Sequence, residues 1–436
     1  MRLKRVEISN FKAVQRLLLA DLNDVVVVAG PNGCGKSSVF DAIRLWKSAH
    51  GGYQQNEVHQ WFGEFQLGIN DGSLVKVMSD RTKPMSISIE VELADTERQW
   101  LTDNAEQVIR VAVWRQVAPQ LGWRSYGAAA LAEELRVHEP AVSKAVERDL
   151  PLLVSELEKA THTGSFVLQT NGQVAMQTDL VLTRLFSTYQ PQVLGVIDYH
   201  SPQRTYQREQ LGGINLNLQS SQEQRSQHAL YNSQAKYSNV KSELAAAYVQ
   251  DLIAQKAGAQ PGQGQQSLLQ TLHELFAAFF PGKEFLGPQP STLGTLDFTV
   301  RTAAGDHDID DLSSGEKEVL YGYLRLRNTA PRNSVILLDE PELHLNPRLV
   351  AGLPEFYYKH LGQALNNQLW LVTHSDALLR QSVGHAGFKV FHMQPPSRDG
   401  SQNSQAQEIK AGAELEQVII DLVGDLAAYR PGGKLI

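Results

Sequence analysis

The sequence has little of several features that would place it in a specialised class of protein. Its 436 residues include one cysteine, so no disulfide can form within the chain, and a free thiol is typical of a reducing compartment. No apolar run approaches the roughly 18 residues that a membrane span needs, and none follows the basic N-terminus. We therefore expect a cytoplasmic protein without a membrane segment.

Positive charge is not in excess either. The chain has 40 Lys and Arg against 47 Asp and Glu, a net charge of −7, which excludes a histone-like basic surface. CxxC pairs, HNH clusters and His-rich metal spacings are also missing. With 42% hydrophobic and 20% charged residues, the composition is that of an ordinary globular chain, long enough for about three domains. Any phosphate-binding site must therefore be local.

Three short apolar runs predict buried strands of a parallel sheet: Val25–Ala29, residues 334–339 and Gln368–Thr373. Between the last two runs, apolar residues recur at helical spacing over 349–361, which completes a strand–helix–strand unit. Residues 86–93 alternate with a two-residue period, which is typical of a half-exposed antiparallel strand. The predicted fold class is α/β: a mostly parallel sheet with an antiparallel β lobe, interrupted by a mainly helical insertion.

The stretch between these runs is mixed in character. Residues 108–117 and 123–126 predict a second pair of β-segments, whereas 128–159 and 221–256 predict helices. Residues 195–199 predict a further strand, and 257–266 and 395–407 predict flexible connections. The expected division is a main α/β unit, the head, made of 1–95 and 266–436 with one more strand in 191–206. A β/helical insertion in 96–190 and a helical lobe with linker in 207–265 interrupt it.

A phosphate-binding loop follows the first apolar run. The sequence GPNGCGKS begins at Gly30, fits GxxxxGK[ST], and lies between the predicted strand and an amphipathic helix. The glycines let backbone N–H groups turn toward phosphate oxygens, Lys36 would supply a charge to the β- and γ-phosphates, and Ser37 would ligate Mg²⁺. The predicted nucleotide-binding residues are Asn32, Gly33, Cys34, Gly35, Lys36, Ser37 and Ser38. Because Cys34 lies in this loop, we expect its alkylation to block nucleotide binding and Mg-ATP to prevent that alkylation.

Two adjacent carboxylates follow the second apolar run. Asp339 and Glu340 come at the carboxyl end of a predicted strand, where ligands bind in open α/β sheets. Asp339 would hold Mg²⁺ through water, and Glu340 would act as general base on the attacking water. The alternative is a helix start with acidic residues near its N-terminus, stabilised by the helix dipole.

A third motif opens a predicted helix. Ser313 and Glu316 fit the S-x-x-E capping box, which by itself is a structural feature. A helix N-terminus is also an anion-binding position, so the same residues can receive a phosphate from outside.

Together these motifs resemble the ATP-binding-cassette heads of the SMC, RecF and OLD group of bacterial ATPases. The resemblance covers roughly residues 1–95 and 190–436: GPNGCGKSS matches Walker A, LSSGEKE the signature, VILLDEPELHLNP Walker B with its loop, and His374 in LVTHS the switch histidine. The opening KRVEISNFKAV is similar to the first strand of this group, with Lys12 where an arginine is usual. Ser314 replaces the first glycine of the usual signature pair, and Asn346 stands where transporter ATPases carry an aspartate. The Gln-loop residue stays open among Gln54, Gln55, Gln60 and Gln66.

The resemblance implies a composite site, in which the phosphate loop of one head and Ser313 and Gly315 of a second head close on each ATP. A homo-oligomer is therefore expected. Lys36, Glu340 and His374 would be the catalytic residues, and Ser37 and Asp339 the magnesium ligands. The long gap between Lys36 and Ser313 disfavours a transporter subunit.

The chain stops soon after His374, too soon for the Toprim nuclease domain of the OLD family, and Glu414, Asp421 and Asp425 fit a solvated helix face better than a metal site. ATP hydrolysis is therefore the only predicted chemistry. The resemblance extends to the ATPases of bacterial anti-phage systems of the PARIS or Septu type, which implies control of a separate effector, a nuclease or Toprim protein. The alternative is a RecF-like, ATP-gated DNA-binding repair protein.

Contact with DNA is possible through one local patch. Arg110, Arg115 and Arg124, interleaved with Trp114 and Trp123, would form a basic aromatic surface, which Arg2, Lys4 and Arg5 would join. The alternative is that the tryptophans pack the lobe and the arginines are ordinary surface charge.

Overall fold

The protein is described by a computed structural model over residues 1–54, 56–68, 74–117, 128–206, 208–209, 211, 214, 225–231, 235–256, 268–290, 296–329, 332–343, 345, 347–350, 352–397, 404–410 and 413–423. Its strands are β1 Arg2–Phe11, β2 Val14–Ala20, β3 Val25–Ala29, β4 Met85–Glu92, β5 Thr161–Leu168, β6 Val174–Gln177, β7 Ile197–His200, β8 Glu284–Pro290, β9 Leu296–Thr302, β10 Gly305–Asp308, β11 Val335–Asp339, β12 Gln368–Thr373, β13 Phe388–Met393 and β14 Ala406–Glu408. Its α-helices are α1 Lys36–His50, α2 Glu57–Glu64, α3 Asp95–Asp103, α4 Ala105–Val117, α5 Ala128–Glu156, α6 Leu180–Phe186, α7 Val240–Lys256, α8 Leu268–Phe279, α9 Ser314–Thr329, α10 Pro347–Val350, α11 Leu353–Tyr357, α12 Asp376–Ser382 and α13 Ala413–Val423.

A six-stranded sheet organises the molecule, in the order β14-β13-β3-β12-β11-β7. Neighbouring strands run parallel, except that β14 is antiparallel to β13. The strand that precedes the phosphate loop, β3, lies between β12 and β13. This sheet confirms the predicted α/β class, and the three apolar runs are β3, β11 and β12.

Both faces of this sheet are buried, which explains why its strands are continuous apolar runs. Along β3, Val26 and Val28 belong to one hydrophobic core, whereas Val25, Val27 and Ala29 belong to the core on the opposite face. Alternate residues of one strand therefore support two cores, as the two-residue period of a β-strand requires.

A five-stranded antiparallel sheet, in the order β2-β1-β4-β5-β6, packs on the first of these cores. The alternating segment predicted at 86–93 is β4, which pairs with both β1 and β5. The side chain of Trp46 on α1 donates a hydrogen bond to the carbonyl of Gly164 on β5, at 2.8 Å, and so joins the two layers. Helices α3, α4 and α5 all lie between β4 and β5 in the chain, and these two strands are neighbours in the sheet. The segment predicted as an insertion, 96–190, thus includes β5 and β6, which belong to this sheet.

The prediction of β-structure at 108–117 is wrong, because this segment belongs to helix α4. Its β-branched residues suggested a strand, but Ala105, Val108, Ile109 and Val113 are buried at helical spacing. Helix α4 packs along α5, and Arg110 on α4 forms an ion pair with Glu139 on α5. Tertiary packing thus overrides the local preference for a strand. The other predicted segment, 123–126, lies outside the described residues.

The single helix predicted over 349–361 is interrupted. Gly352 has φ of +86° and separates α10 from α11, and a π-helical turn Tyr358–Gly362 follows α11 directly. Two further predictions are met in part: α7 accounts for the second half of the helical segment 221–256, and β14 begins within the connection predicted at 395–407. The connection predicted at 257–266 lies outside the described residues.

Within the described part of the chain, no helix has both the length and the apolar character needed to cross a bilayer.

Candidate functional site

The phosphate-binding loop joins the end of β3 to the start of α1. Gly33 and Gly35 have φ of +81° and +100°, a left-handed conformation that residues with a Cβ rarely adopt. At Gly30, an added Cβ would lie 2.3 Å from the carbonyl oxygen of Met393, so the loop fits closely against the end of β13. Asn32 and Gly33 are exposed, and Ser38 is half-buried in the first turn of α1. The loop therefore has the turned backbone that binds phosphate at a helix N-terminus.

The side chain of Lys36 is folded back onto this loop. Its ammonium group donates hydrogen bonds to the carbonyl oxygens of Gly30 and Pro31, at 2.8 and 3.0 Å. These neutral acceptors can be exchanged for phosphate oxygens, which bind an ammonium more strongly because both partners are charged. Lys36 is thus positioned at the place where the sequence predicts phosphate contact.

Asp339 lies at the carboxyl end of β11, next to this loop. The hydroxyl of Ser37 donates a hydrogen bond to Oδ1 of Asp339, at 3.2 Å, and the hydroxyl of Tyr199 donates to Oδ2, at 3.4 Å. Burial raises the pKa of Asp339 to about 7, with Glu340 adding to the rise, while the bond from Ser37 opposes it. A buried carboxylate of this kind would be stabilised by a cation between it and the phosphates.

Mg²⁺ fits the oxygen atoms at this point. The Ser37 hydroxyl and the Asp339 carboxylate are hard oxygen ligands, and they face the loop where phosphate oxygens would complete the coordination. Among the described residues, no group of three or more His, Cys, Asp or Glu could hold a metal ion. The two oxygen ligands leave the remaining octahedral positions of Mg²⁺ to phosphate oxygens and water, so the site suits a cation that is bound together with a nucleotide.

Glu340 turns out of the strand toward β12. Its φ is +46°, in the left-handed region, and its backbone N–H donates to the carbonyl of Val372 at 2.9 Å. Its Oε1 lies 3.3 Å from Nδ1 of His374, whose side chain is 42% exposed. The backbone turn thus directs Glu340 and His374 to the same point, beside the edge that carries Asp339.

A third carboxylate, Glu342, was missed from the sequence. It is buried, and its Oε1 accepts hydrogen bonds from the hydroxyl of Thr373 and from the backbone N–H of His374, the latter at 3.1 Å. Burial raises the pKa of Glu342, and these hydrogen bonds oppose the rise. The feature of the sequence that could have identified Glu342 as a site residue is its position two residues after Glu340. Glu342 fixes the backbone that carries His374.

Tyr199 and Arg204 were not predicted as site residues either. Tyr199 is on β7, which pairs with β11, so its contact with Asp339 follows from strand order. Arg204 follows β7, and one of its guanidinium nitrogens donates to the backbone carbonyl of Asp339 at 3.1 Å. The signal in both cases was the predicted strand at 195–199, whose end meets the same sheet edge.

The predicted signature segment forms a capped helix. The backbone N–H of Ser313 donates to Oε2 of Glu316 at 3.0 Å, and the backbone N–H of Glu316 donates to the hydroxyl of Ser313 at 3.4 Å, which confirms the capping box at the start of α9. Lys283 pairs with the same carboxylate at 2.8 Å. Among the described residues, no hydrogen bond joins Ser313 or Gly315 to the phosphate loop of this chain.

The prediction that Cys34 can be alkylated must be corrected. Its side chain has no exposed surface, and burial raises the pKa of the thiol, with the charge of Lys36 opposing the rise. A buried neutral thiol is a poor nucleophile. The expected alkylation of Cys34 in the folded protein, with protection by Mg-ATP, is therefore not supported.

In the described part of the chain, the arginines and lysine of the predicted basic patch are bound to other groups of the protein. Arg110 pairs with Glu106 and Glu139, and Arg115 donates to the carbonyl of Ser187. The three basic residues near the N-terminus are paired as well: Arg2 with Asp24, Lys4 with Glu92 and Arg5 with Glu7.

Five of the residues that were singled out from the sequence lie outside the described residues: Gln55, Trp123, Arg124, Asn346 and Asp425. Of the other Gln-loop candidates, Gln54 donates a hydrogen bond to the hydroxyl of Ser226.

Two protein families match the sequence. Residues 195–380 match the family described as "AAA domain, putative AbiEii toxin, Type IV TA system", and residues 1–64 match one described as "Protein of unknown function (DUF2813)". The first match contains β7, α9, β11 and β12, and the second contains the phosphate loop. No curated protein matches the chain.

Solved structures of SMC heads are similar to this chain at low identity. The SMC head domain from Thermotoga maritima has a TM-score of 0.42 and 12% identity, covering 95% of this chain and 100% of that chain. An SMC head bound to the C-winged helix domain of ScpA gives 0.44 and 11%, covering 95% and 100%. The SMC head with an extended coiled coil, bound to the C-terminal domain of ScpA derived from Pyrococcus furiosus, gives 0.42 and 11%, covering 97% and 99%. Because these TM-scores are below 0.5, the fold assignment depends on the strand order and loop geometry of this chain. That geometry and the AAA-domain match support a P-loop ATPase.

Proposed function

We propose that this protein binds Mg-ATP at the β3–α1 loop and hydrolyses it. The observation that carries the proposal is the convergence of the loop with Asp339, Glu340 and His374 at the carboxyl ends of adjacent parallel strands. Three motifs that are far apart in sequence thereby meet at one edge of the sheet, which is the ligand-binding edge of α/β folds.

Each residue has a role that its position favours. Lys36 and the loop N–H groups bind the phosphates, and Ser37 and Asp339 hold Mg²⁺, which when bound stabilises the negative charge of the phosphates. Glu340 accepts the proton of the attacking water, and His374 holds Glu340 in place by the contact between Nδ1 and Oε1. Glu342 fixes the His374 backbone from the other side.

The test is a comparison of ATP binding with phosphate release. Lys36→Ala is expected to abolish both. Glu340→Gln is expected to bind ATP but to lower kcat by about 100-fold or more, since a general base contributes that much. Glu355→Gln, an equivalent change at an exposed position on α11, is the control. Unchanged turnover in the Glu340 variant would contradict its assignment as the base.

We further propose that two copies of the chain form the active sites together, with Ser313 and Gly315 of one copy facing the nucleotide bound by the other. The exposed N-terminus of α9, with no hydrogen bond to its own phosphate loop among the described residues, supports this arrangement. If it is correct, an equal mixture of Lys36→Ala and Ser313→Arg proteins should recover about a quarter of wild-type activity. Half of the dimers in such a mixture contain one copy of each variant, and one of the two sites in each mixed dimer is intact. Two inactive variants that stay inactive when mixed would refute it.

The biological setting that we propose is a bacterial anti-phage system of the PARIS or Septu kind, in which the ATPase controls a separate effector protein. The description of the matched AAA family as a toxin of a type IV toxin–antitoxin system, which has two components, supports this setting. Co-purification with the product of a neighbouring gene would be the expected result. The RecF-like alternative predicts ATP-dependent binding to duplex DNA with a steep salt dependence. The ion pairs formed by four residues of the predicted DNA-contacting patch, Arg2, Lys4, Arg5 and Arg110, favour the first setting.

A further inference from the structure

Arg204 occupies an unusual position between two of the motifs. It follows β7, and its side chain is only 5% exposed, as is that of Glu318 on α9, with which it forms an ion pair. Glu318 lies one helical turn after the capped N-terminus that carries Ser313 and Gly315. The pair therefore attaches the start of α9 to the segment that follows β7.

The same guanidinium also reaches β11. Its second terminal nitrogen donates a hydrogen bond to the backbone carbonyl of Asp339, at 3.1 Å. The other half of that peptide group is held as well, because the N–H of Glu340 donates to Val372 on β12. Both polar atoms of the Asp339–Glu340 peptide are thus fixed, one by Arg204 and one by the neighbouring strand.

This peptide group determines where two reactive side chains point. Asp339 lies before it and Glu340 after it, and Glu340 has the left-handed conformation that turns its carboxylate toward His374. A rotation of this peptide would change ψ of Asp339 and φ of Glu340, and the latter is the left-handed torsion that turns Glu340 toward His374. The hydrogen bond from Arg204 opposes such a rotation.

The contacts of Arg204 are not optimised for stability alone. Its Nε is buried and has no hydrogen-bond partner among the described residues, and a buried unsatisfied donor costs free energy. A buried ion pair often stabilises the folded state no more than apolar side chains of similar volume would. Arg184 and Arg225 also have a buried Nε without a partner among the described residues, so this feature alone does not single out Arg204. The case for a positioning role depends on the two contacts made by the terminal nitrogens of its guanidinium.

We propose that Arg204 is a positioning residue, which fixes the Asp339–Glu340 peptide relative to helix α9. The inference rests on the proposed ATPase function. Through Arg204, a displacement of α9 alters the orientation of the metal ligand and of the general base. Since α9 carries Ser313 and Gly315, contact of this helix end with a second copy would be transmitted to the Asp339–Glu340 peptide of the same chain.

The test uses the double variant Arg204→Met, Glu318→Leu, which replaces the ion pair by apolar side chains and leaves no buried charge unpaired. We expect it to fold and to keep KM for ATP within about twofold, while kcat falls by about 10- to 100-fold, as for other small misplacements of reacting groups. Arg204→Lys is a second variant, which keeps a charge for Glu318 but cannot make both contacts in the same geometry. It should also lower kcat without changing KM.

A matched control is available on the same helix. Arg325 on α9 forms an ion pair with Glu243 on α7, at 2.6 Å, with side chains that are 5% and 20% exposed. The double variant Arg325→Met, Glu243→Leu removes this pair, together with the longer contact of Arg225 with Glu243 at 3.8 Å, without touching the Arg204 contacts. Its kcat should stay within about twofold of wild type. Both double variants would be compared for thermal unfolding.

The outcomes separate the inference from the function on which it rests. If the wild-type protein hydrolyses ATP and Arg204→Lys has the same kcat, or if both double variants lose activity equally, the positioning role is refuted. A loss of kcat in the Arg204 variants alone, with KM retained, establishes it. If the wild-type protein does not hydrolyse ATP under any condition, the proposed function itself fails.

Discussion

Replacing Asp339 with asparagine should make the nucleotide-free protein more stable at alkaline pH. The carboxyl group of Asp339 is buried, which raises its pKa from 3.8 to about 7. In the unfolded chain the group loses its proton near pH 4, whereas the folded protein retains the proton up to about pH 7. The free energy of unfolding therefore falls as pH rises between these values, because the folded state binds more protons.

The size of this effect follows from the shift in pKa. A rise of about three units corresponds to about 4 kcal/mol of lost stability once the pH exceeds both values. Between pH 5 and pH 8, about 2.5 kcal/mol of that loss should occur. Asparagine does not titrate, so the stability of Asp339→Asn relative to wild type should increase by this amount over the same interval.

Urea unfolding followed by tryptophan fluorescence at pH 5 and pH 8, without nucleotide or Mg²⁺, measures this difference. Asp103→Asn, at an exposed position on α3, controls for the loss of a carboxylate as such. A stability difference between Asp339→Asn and wild type that is equal at the two pH values would refute the reasoning. The variant should also lose ATP turnover, because the amide is a poor magnesium ligand, so stability and activity change in opposite directions.

Two other residues of the site give direct tests. Cys34 in the folded protein should react with iodoacetamide about 100-fold or more slowly than in urea, because the thiol is buried with a raised pKa; equal rates, measured by mass spectrometry, would contradict the described burial. Glu342→Ala should lower stability by about 1–3 kcal/mol, because it removes the acceptor for the Thr373 hydroxyl and the His374 N–H. Glu342→Gln, which keeps one oxygen acceptor, should retain most of that stability in urea unfolding, and an equal loss in both variants would contradict the role of Oε1.

The local parts of the site were predictable from sequence because each is encoded within a few consecutive residues. The left-handed glycines of the phosphate loop, the carboxylates at the end of β11 and the cap of α9 all follow from short patterns. Helix α4 was not predicted, because its β-branched composition outweighed a helical spacing of buried positions that only its packing on α5 makes clear.

The contacts between segments were not predictable in the same way. Tyr199 meets Asp339 because β7 pairs with β11, and no spacing along the chain specifies that strand order. Arg204 reaches both Glu318 and Asp339, residues far from it in sequence. Prediction from pattern thus identified the groups that perform the chemistry, whereas the residues that hold them in position required the fold.

The position of β3 in the central sheet has a consequence for the time course of synthesis. Its two neighbours are β12 and β13, whose residues are made long after Val25–Ala29. At roughly 5 to 20 residues per second, the interval between translation of Ala29 and of Gln368 is on the order of 17 to 70 s. During that interval both edges of this apolar strand lack their final partners, a condition that favours aggregation. The phosphate loop is thus translated well before the strands that surround it, so ATP cannot stabilise the folded loop in a nascent chain until β12 and β13 have been made.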